Sequence, residues 1–145
     1  MKVFTNDYRH YLHIPISLLI FVLSLYFPAI QYLDIGQKPG YYHSLALLIL
    51  GWINVLSGYD YFWLANISYL IGLFYLGNTI KSCFFGTITL VLALSFLAQE
   101  KIFYFFEWSF VPIVKYDIGY YLWVISFFVF WLGQTWLAVY RLRKN

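Results

Sequence analysis

The sequence predicts an all-α integral membrane protein, a helical bundle of about five transmembrane helices with one short amphipathic segment in the interface. Three observations carry that expectation. Only 10% of the 145 residues are charged, 63% are hydrophobic, and mean hydropathy is +0.73. A soluble domain carries roughly 25% charged residues, so this chain has too few to cover a water-facing surface. Uncharged apolar runs of 17 or more residues recur, about the length that crosses a hydrocarbon core roughly 30 Å thick. Aromatic residues make up 25% of the chain and crowd the ends of those runs, as interfacial belts do.

Residues 1–13 form a polar tail without the compact basic start of a secretory signal. The first span is 14–33, with Pro15 in its first turn, where a missing N–H costs little, and Pro28 near its far end. The linker from Asp34 to Gly40 has turn chemistry. A second span covers 41–57 and a third 61–80, folded back on each other across Ser57-Gly58-Tyr59-Asp60. The fourth, 82–98, stops at Gln99-Glu100-Lys101, and the fifth, 119–140, runs into Arg141-Leu142-Arg143-Lys144. Residues 101–117 are too interrupted by Lys101, Glu107, Pro112 and Lys115 to cross a bilayer. A helical wheel puts Glu100, Tyr104 and Glu107 on one side and Phe103, Phe106 and Phe110 on another, which predicts an amphipathic helix, with a loop on aromatic anchors as the alternative. No internal repeat breaks the chain, and 1–145 reads as one domain.

Five spans place the termini on opposite sides. With the basic C-terminal cluster in the cytoplasm, Lys38 and Lys81 join it, giving five basic residues inside against four outside. A rival topology makes 41–57 a re-entrant segment; four spans then bring both ends inside, six basic residues against three. Five spans is the expectation, because an uncharged run long enough to span usually does.

Membrane helices associate through close packing and interhelical hydrogen bonds, so small and amide side chains mark contact faces. The third span offers Ala65, Ser68 and Gly72, the fourth Gly86 and Ala93, the fifth Gly119, Ser126 and Gly133, and the second Gly51. Asn54 and Asn66 stand about equally far from the turn at 57–60 and are placed to bond across that hairpin. Gln134 lies deepest in its span and needs a partner inside the bundle. Trp63, Trp108, Tyr120 and Trp123 read as interfacial anchors.

The chemistry-bearing residues are few. One cysteine, Cys83, excludes an intramolecular disulfide. His10, His13 and His43 have no spacing that fixes a metal geometry, and no His-Glu-x-x-His element or glycine-rich phosphate loop is present. The carboxylates are single and peripheral, and the basic residues make no nucleic-acid stripe. No ionisable residue lies mid-span, which argues against a proton relay or secondary transporter. The reading therefore leans away from an enzyme and names no cofactor, metal or catalytic residue.

Gly51-Trp52 followed by Trp63-Leu64-Ala65-Asn66, with Gly119-Tyr120-Tyr121-Leu122-Trp123 opening the last helix, resembles a group of small, uncharacterised bacterial multi-pass membrane proteins; Ile67 stands where a proline often follows in that pattern. The resemblance implies a bacterial inner-membrane location and no known activity. The functional expectation is a non-catalytic accessory or assembly subunit of a larger membrane complex, partnered by lipid and by other membrane subunits or itself. The alternative is a small homo-oligomeric channel or a lipid-handling protein.

Overall fold

The computed structural model describes residues 11–34, 36–56, 58, 61–104 and 109–144. In chain order these form α1 (His13–Ser24), β1 (Pro28–Leu33), β2 (Pro39–His43), α2 (Ser44–Leu56), α3 (Leu64–Phe74), α4 (Thr79–Ser95) with a 3-10 turn Phe96–Ala98, β3 (Lys101–Tyr104), β4 (Ser109–Tyr116) and α5 (Ile118–Lys144). The all-α expectation is thus overturned: a four-stranded antiparallel sheet, order β2-β1-β4-β3, closes one end of a helical bundle.

The reasons lie in the residues that read as helix ends. The run 14–33 divides because α1 unwinds through Leu25–Phe27 and Pro28, which has no N–H, opens an extended strand. β1 and β2 form a hairpin whose turn is closed by Asp34: its N–H donates to the Lys38 carbonyl at 3.0 Å, and its Oδ1 accepts from the Lys38 N–H at 2.7 Å. Gln37 takes φ 60 there, the left-handed conformation that a tight turn asks for and glycine fills most easily. The expected interfacial helix at 101–117 is instead the hairpin β3–β4, in register from Lys101↔Pro112 to Tyr104↔Ser109. β4 also pairs with β1, from Ile30↔Tyr116 to Tyr32↔Ile113. Pro112 lies just past that last pair, so its missing N–H falls outside the β1–β4 ladder.

Two helices are long and apolar enough to cross a membrane, Thr79–Ala98 with 20 residues and Ile118–Arg143 with 26. α1, α2 and α3 have 12, 13 and 11 residues, about 18, 20 and 16 Å at 1.5 Å per residue. The expected spans 14–33, 41–57 and 61–80 are therefore corrected to a short helix plus β1, to β2 plus α2, and to α3 plus the turn into α4. The proposed turn at Ser57, Tyr59 and Asp60 lies outside the described residues.

α1, α3, α4 and α5 make the bundle. α1 runs antiparallel to α5, with His13 against Gly133, Phe21 against Phe127 at 6.0 Å between ring centroids, and the Pro28 carbonyl against Gly119. α3 and α4 form a tight antiparallel pair in which Ser68 Oγ donates to the Phe85 carbonyl at 2.9 Å and Ser82 Oγ to the Gly72 carbonyl at 2.8 Å. Asn78 caps α4 by accepting from the Lys81 N–H. α4 lies antiparallel to α5, joined by Trp131 Nε1 donating to Thr87 Oγ1 and Tyr120 Oη donating to the Ala93 carbonyl, both 2.9 Å. α2 flanks the bundle and meets α3 where the Trp63 indole covers Gly51 and donates to the Leu48 carbonyl at 2.9 Å. Tyr11 consequently stands beside Arg141, within 2.7 Å. The expectation of ends on opposite sides is corrected, because α2 does not add a fifth pass through the bundle.

Two apolar clusters follow from this layout. Where sheet meets bundle, Ala29, Ile30, Tyr42, Phe62, Phe96, Ile102, Val111 and Tyr120 are buried together. On the bundle axis the cluster is Ala65, Tyr69, Ala93, Phe127 and Phe130.

At Gly119 an added Cβ would meet Ser44 Oγ and the carbonyl oxygens of Phe27 at 2.6 Å and Pro28 at 2.7 Å. Backbone cannot yield as a side-chain tip can, so Gly119→Ala is expected to destabilise the protein by about 1–3 kcal/mol. Gly77→Ala, with nothing within 4 Å of its added Cβ, serves as the control, and thermal unfolding of both purified variants makes the comparison.

Candidate functional site

Around its apolar axis the bundle buries many hydroxyl and amide side chains while it exposes large apolar ones. Ser17, Ser24, Asn66, Ser68, Thr79, Ser82, Thr89, Ser126 and Gln134 are buried, whereas Leu19, Ile80, Val91 and Trp136 are 69%, 67%, 63% and 69% exposed. A buried polar group is costly unless bonded, and most of these are. Ser17 Oγ donates its single hydrogen to the Ser126 carbonyl at 2.8 Å, so its 2.7 Å contact with Tyr69 must be a bond that Tyr69 donates. One serine thereby ties α1, α3 and α5 together. Asn66 bridges α3 to α5: its Oδ1 accepts from Trp123 Nε1 at 3.0 Å and its Nδ2 donates to the Trp63 carbonyl at 3.2 Å.

The residues singled out in the sequence fall as follows. Ala65, Asn66, Ser68, Gly72, Gly86, Ala93, Ser126 and Gln134 are buried in the bundle. Gly72 and Gly86 lie under the Phe130 ring, Gly133 under His13, and Gly119 at the junction with the sheet. Gly51 is covered by Trp63. Asn54 is 2% exposed, and its Oδ1 has no hydrogen-bond partner; it does not bond to Asn66, whose amide is committed to two tryptophans. Trp63 and Trp123 give their indole N–H to protein acceptors, and Tyr120, 3% exposed, is part of the core. Trp108 lies outside the described residues.

Beneath the sheet the phenols of Tyr32, Tyr42 and Tyr104 gather, with ring centroids 5.0 Å apart for Tyr32–Tyr42 and 5.2 Å for Tyr32–Tyr104. Gly40 leaves room for the Tyr32 ring, whose Oη would be 2.7 Å from an added Cβ. Burial, followed by the hydrogen bond and charge of Tyr104, holds the Tyr32 phenol well above its ordinary pKa. Tyr116, raised by burial and then by Tyr121, donates to the Phe96 and Gln99 carbonyls at 2.6 and 2.9 Å, latching β4 to the end of α4. Between this tier and the bundle is a small apolar cavity of about 40 Å³ bounded by Leu25, Ala29, Phe62, Trp63, Phe96 and Trp123.

The opposite end carries the cations. Arg141 Nη1 donates to Thr79 Oγ1 at 2.6 Å and Nη2 to Tyr11 Oη at 2.7 Å, pinning the end of α5 to the first turn of α4 and the start of α1. Just inside, Gln134 Nε2 and His13 Nε2 are 3.0 Å apart, and Gln134 Oε1 is buried without a hydrogen-bond partner. Cys83 Sγ is 3.3 Å from Thr135 Oγ1. Beside His13 runs an open groove of about 560 Å³ along α5, lined by Val129, Leu132, Gly133, Thr135, Trp136 and Val139. Among the described residues no group of three His, Cys, Asp or Glu side chains could hold a metal; His43 is exposed on β2, far along the chain from His13.

Sequence reasoning missed the two nodes that involve α1, Ser17–Tyr69–Ser126 and His13–Gln134. Their one sequence signal is that His13 and Ser17 stand four apart, on one face of a helix. Comparison with protein-family models, with curated proteins and with solved structures finds no match to this chain.

A double-mutant cycle of Asn66→Leu and Trp123→Phe is expected to give a coupling of about 0.6–2 kcal/mol, the range of interhelical hydrogen bonds, read from unfolding of the four proteins. For Tyr32, the folded state holds the phenolic proton more tightly than the unfolded chain does. The stability this adds is complete below the ordinary tyrosine pKa of about 10 and is lost as pH rises beyond it. Tyr32→Phe should therefore lessen the fall in melting temperature between pH 9 and 11, measured by thermal scans across that range.

Proposed function

We propose that this is an integral protein of the bacterial inner membrane with its C-terminus in the cytoplasm, acting without catalysis as an accessory or assembly subunit of a larger membrane complex. The observation that carries the membrane reading is the exterior of the bundle: large Leu, Ile, Val and Phe side chains face outward, while hydroxyl and amide groups are bonded inside beside the apolar axis. In water that arrangement would leave side chains such as Leu19, Ile80, Val91 and Trp136 facing solvent, a surface of the kind that marks membrane or protein contact. In hydrocarbon it satisfies the polar groups where no solvent would. The basic end, with Lys81, Arg141 and Arg143, is then the cytoplasmic one, and the sheet lies on the outer side.

The accessory reading rests on what the interior offers. Tyr69, Phe127 and Phe130, at 1%, 0% and 0% exposure, fill the bundle axis, so a single copy has no lumen for ions. Its outer surface is what remains to present. α2 is the best placed part of it, at the flank of the bundle with Leu45, Ile49, Trp52 and Leu56 exposed along the stripe turned away from α3, at 46%, 57%, 46% and 76%. Purification of the tagged full chain in mild detergent tests this: a stoichiometric larger membrane partner is expected, and it should be lost in an Ile49→Ser/Trp52→Ser variant. A homogeneous homo-oligomer that conducts ions in liposomes would replace this reading with the channel alternative.

Orientation has its own test. Fluorescent-protein fusions at both ends should fluoresce, and alkaline phosphatase inserted in the turn between β1 and β2 should be active. An externally located N-terminus would overturn this orientation.

A further inference from the structure

We infer that the groove along α5 at the basic end is a binding site for an anionic phospholipid of the surrounding bilayer, one acyl chain lying in the groove and the phosphate at Arg143. The inference rests on the membrane reading above. The groove, about 560 Å³, is open along the outer face of α5, so a chain of the surrounding lipid can enter it from the side. Its apolar wall follows the helical spacing Val129, Leu132, Trp136 and Val139, with Leu132 52%, Trp136 69% and Val139 44% exposed. Arg143 continues the same face one turn past Val139 and is exposed. An apolar trough that ends in a cation matches the two halves of a lipid.

Charge complementarity selects the headgroup. The carboxylate side chains among the described residues, Asp34, Glu100 and Asp117, all stand at the sheet end, where Asp117 pairs with Lys115 at 3.5 Å. Lys81, Arg141 and Arg143 stand at the other end. Arg141 is turned inward to two neutral hydroxyls and Lys81 lies over the Tyr75 ring at 5.1 Å, which leaves Arg143, exposed, as the cation among the described residues at this end that can take a phosphate. The wall carries no carboxylate to hold a choline, so the net charge of the lipid at Arg143 sets the preference.

Native mass spectrometry of the full chain in detergent, titrated with phosphatidylglycerol or phosphatidylcholine of the same chains, tests this. One phosphatidylglycerol is expected to be retained at about fivefold lower concentration, the effect of one surface cation. Arg143→Gln should abolish the preference while phosphatidylcholine binding persists, and Lys115→Gln should leave it intact. Equal retention of the two lipids, an unchanged ratio in Arg143→Gln, displacement by inorganic phosphate, or a dimer formed in place of the lipid-bound monomer would overturn it. A chain that reconstitutes into bilayers yet binds both lipids alike overturns the lipid site alone; one that stays in the aqueous fraction overturns the membrane reading with it.

Discussion

The architecture turns on one close approach, where the first turn of α5 passes beneath the carbonyls of Phe27 and Pro28. Only a residue without a Cβ fits there, and Gly119 supplies it. The Phe27 carbonyl accepts from both the N–H and the Oγ of Ser44, each at 3.2 Å, so the start of α2 is fastened to the same point. Asp117, immediately before, donates its N–H to the Ala29 carbonyl at 2.7 Å and accepts from the Ile118 N–H with Oδ1 at 2.9 Å. Three helices and two strands therefore share a few ångströms of backbone, and the sheet is bolted to the bundle rather than tethered by linkers. The apolar cluster of Ile30, Phe96 and Tyr120 closes around this junction and gives it its stability.

Away from the junction, packing and hydrogen bonding divide the work. Phe127, Phe130 and Tyr69 occupy volume on the axis, with Tyr69 edge-on to Phe130 at 5.1 Å. Serine, threonine and asparagine lock the helices in register at their margins. Each class needs the other: small residues such as Gly72 and Gly86 let the backbones come near, and the large Phe130 ring then fills the space they leave. The inward hydroxyls bond mostly to carbonyls of neighbouring helices or of their own preceding turn, so few polar atoms among the described residues go unanswered; Gln134 Oε1 in the bundle and Asn54 Oδ1 on α2 are two that do.

Some of this was legible in the sequence. α4 and α5 declare themselves by long uncharged runs ending in Gln99-Glu100-Lys101 and in the basic cluster. The strands do not, and the physical reason is specific. β1 sits directly after an apolar helix, so its Ile30 and Tyr32 look like the last turns of a span. In β3, Ile102 and Phe103 are buried side by side, which erases the two-residue alternation that marks a strand. The pairing of Ile30 with Tyr116 joins residues far apart in sequence, and no local pattern announces it. The same holds for His13 and Gln134, 121 residues apart: each needs a partner, and nothing nearby says which.

That distant pairing of β1 with β4 also sets an order of events during synthesis. β1 emerges early, and its inner edge must wait, unmatched, through α2, α3 and α4 until residues 109–116 leave the ribosome. Only then can the lid over the bundle be finished, and α5 is the last piece to arrive beneath it.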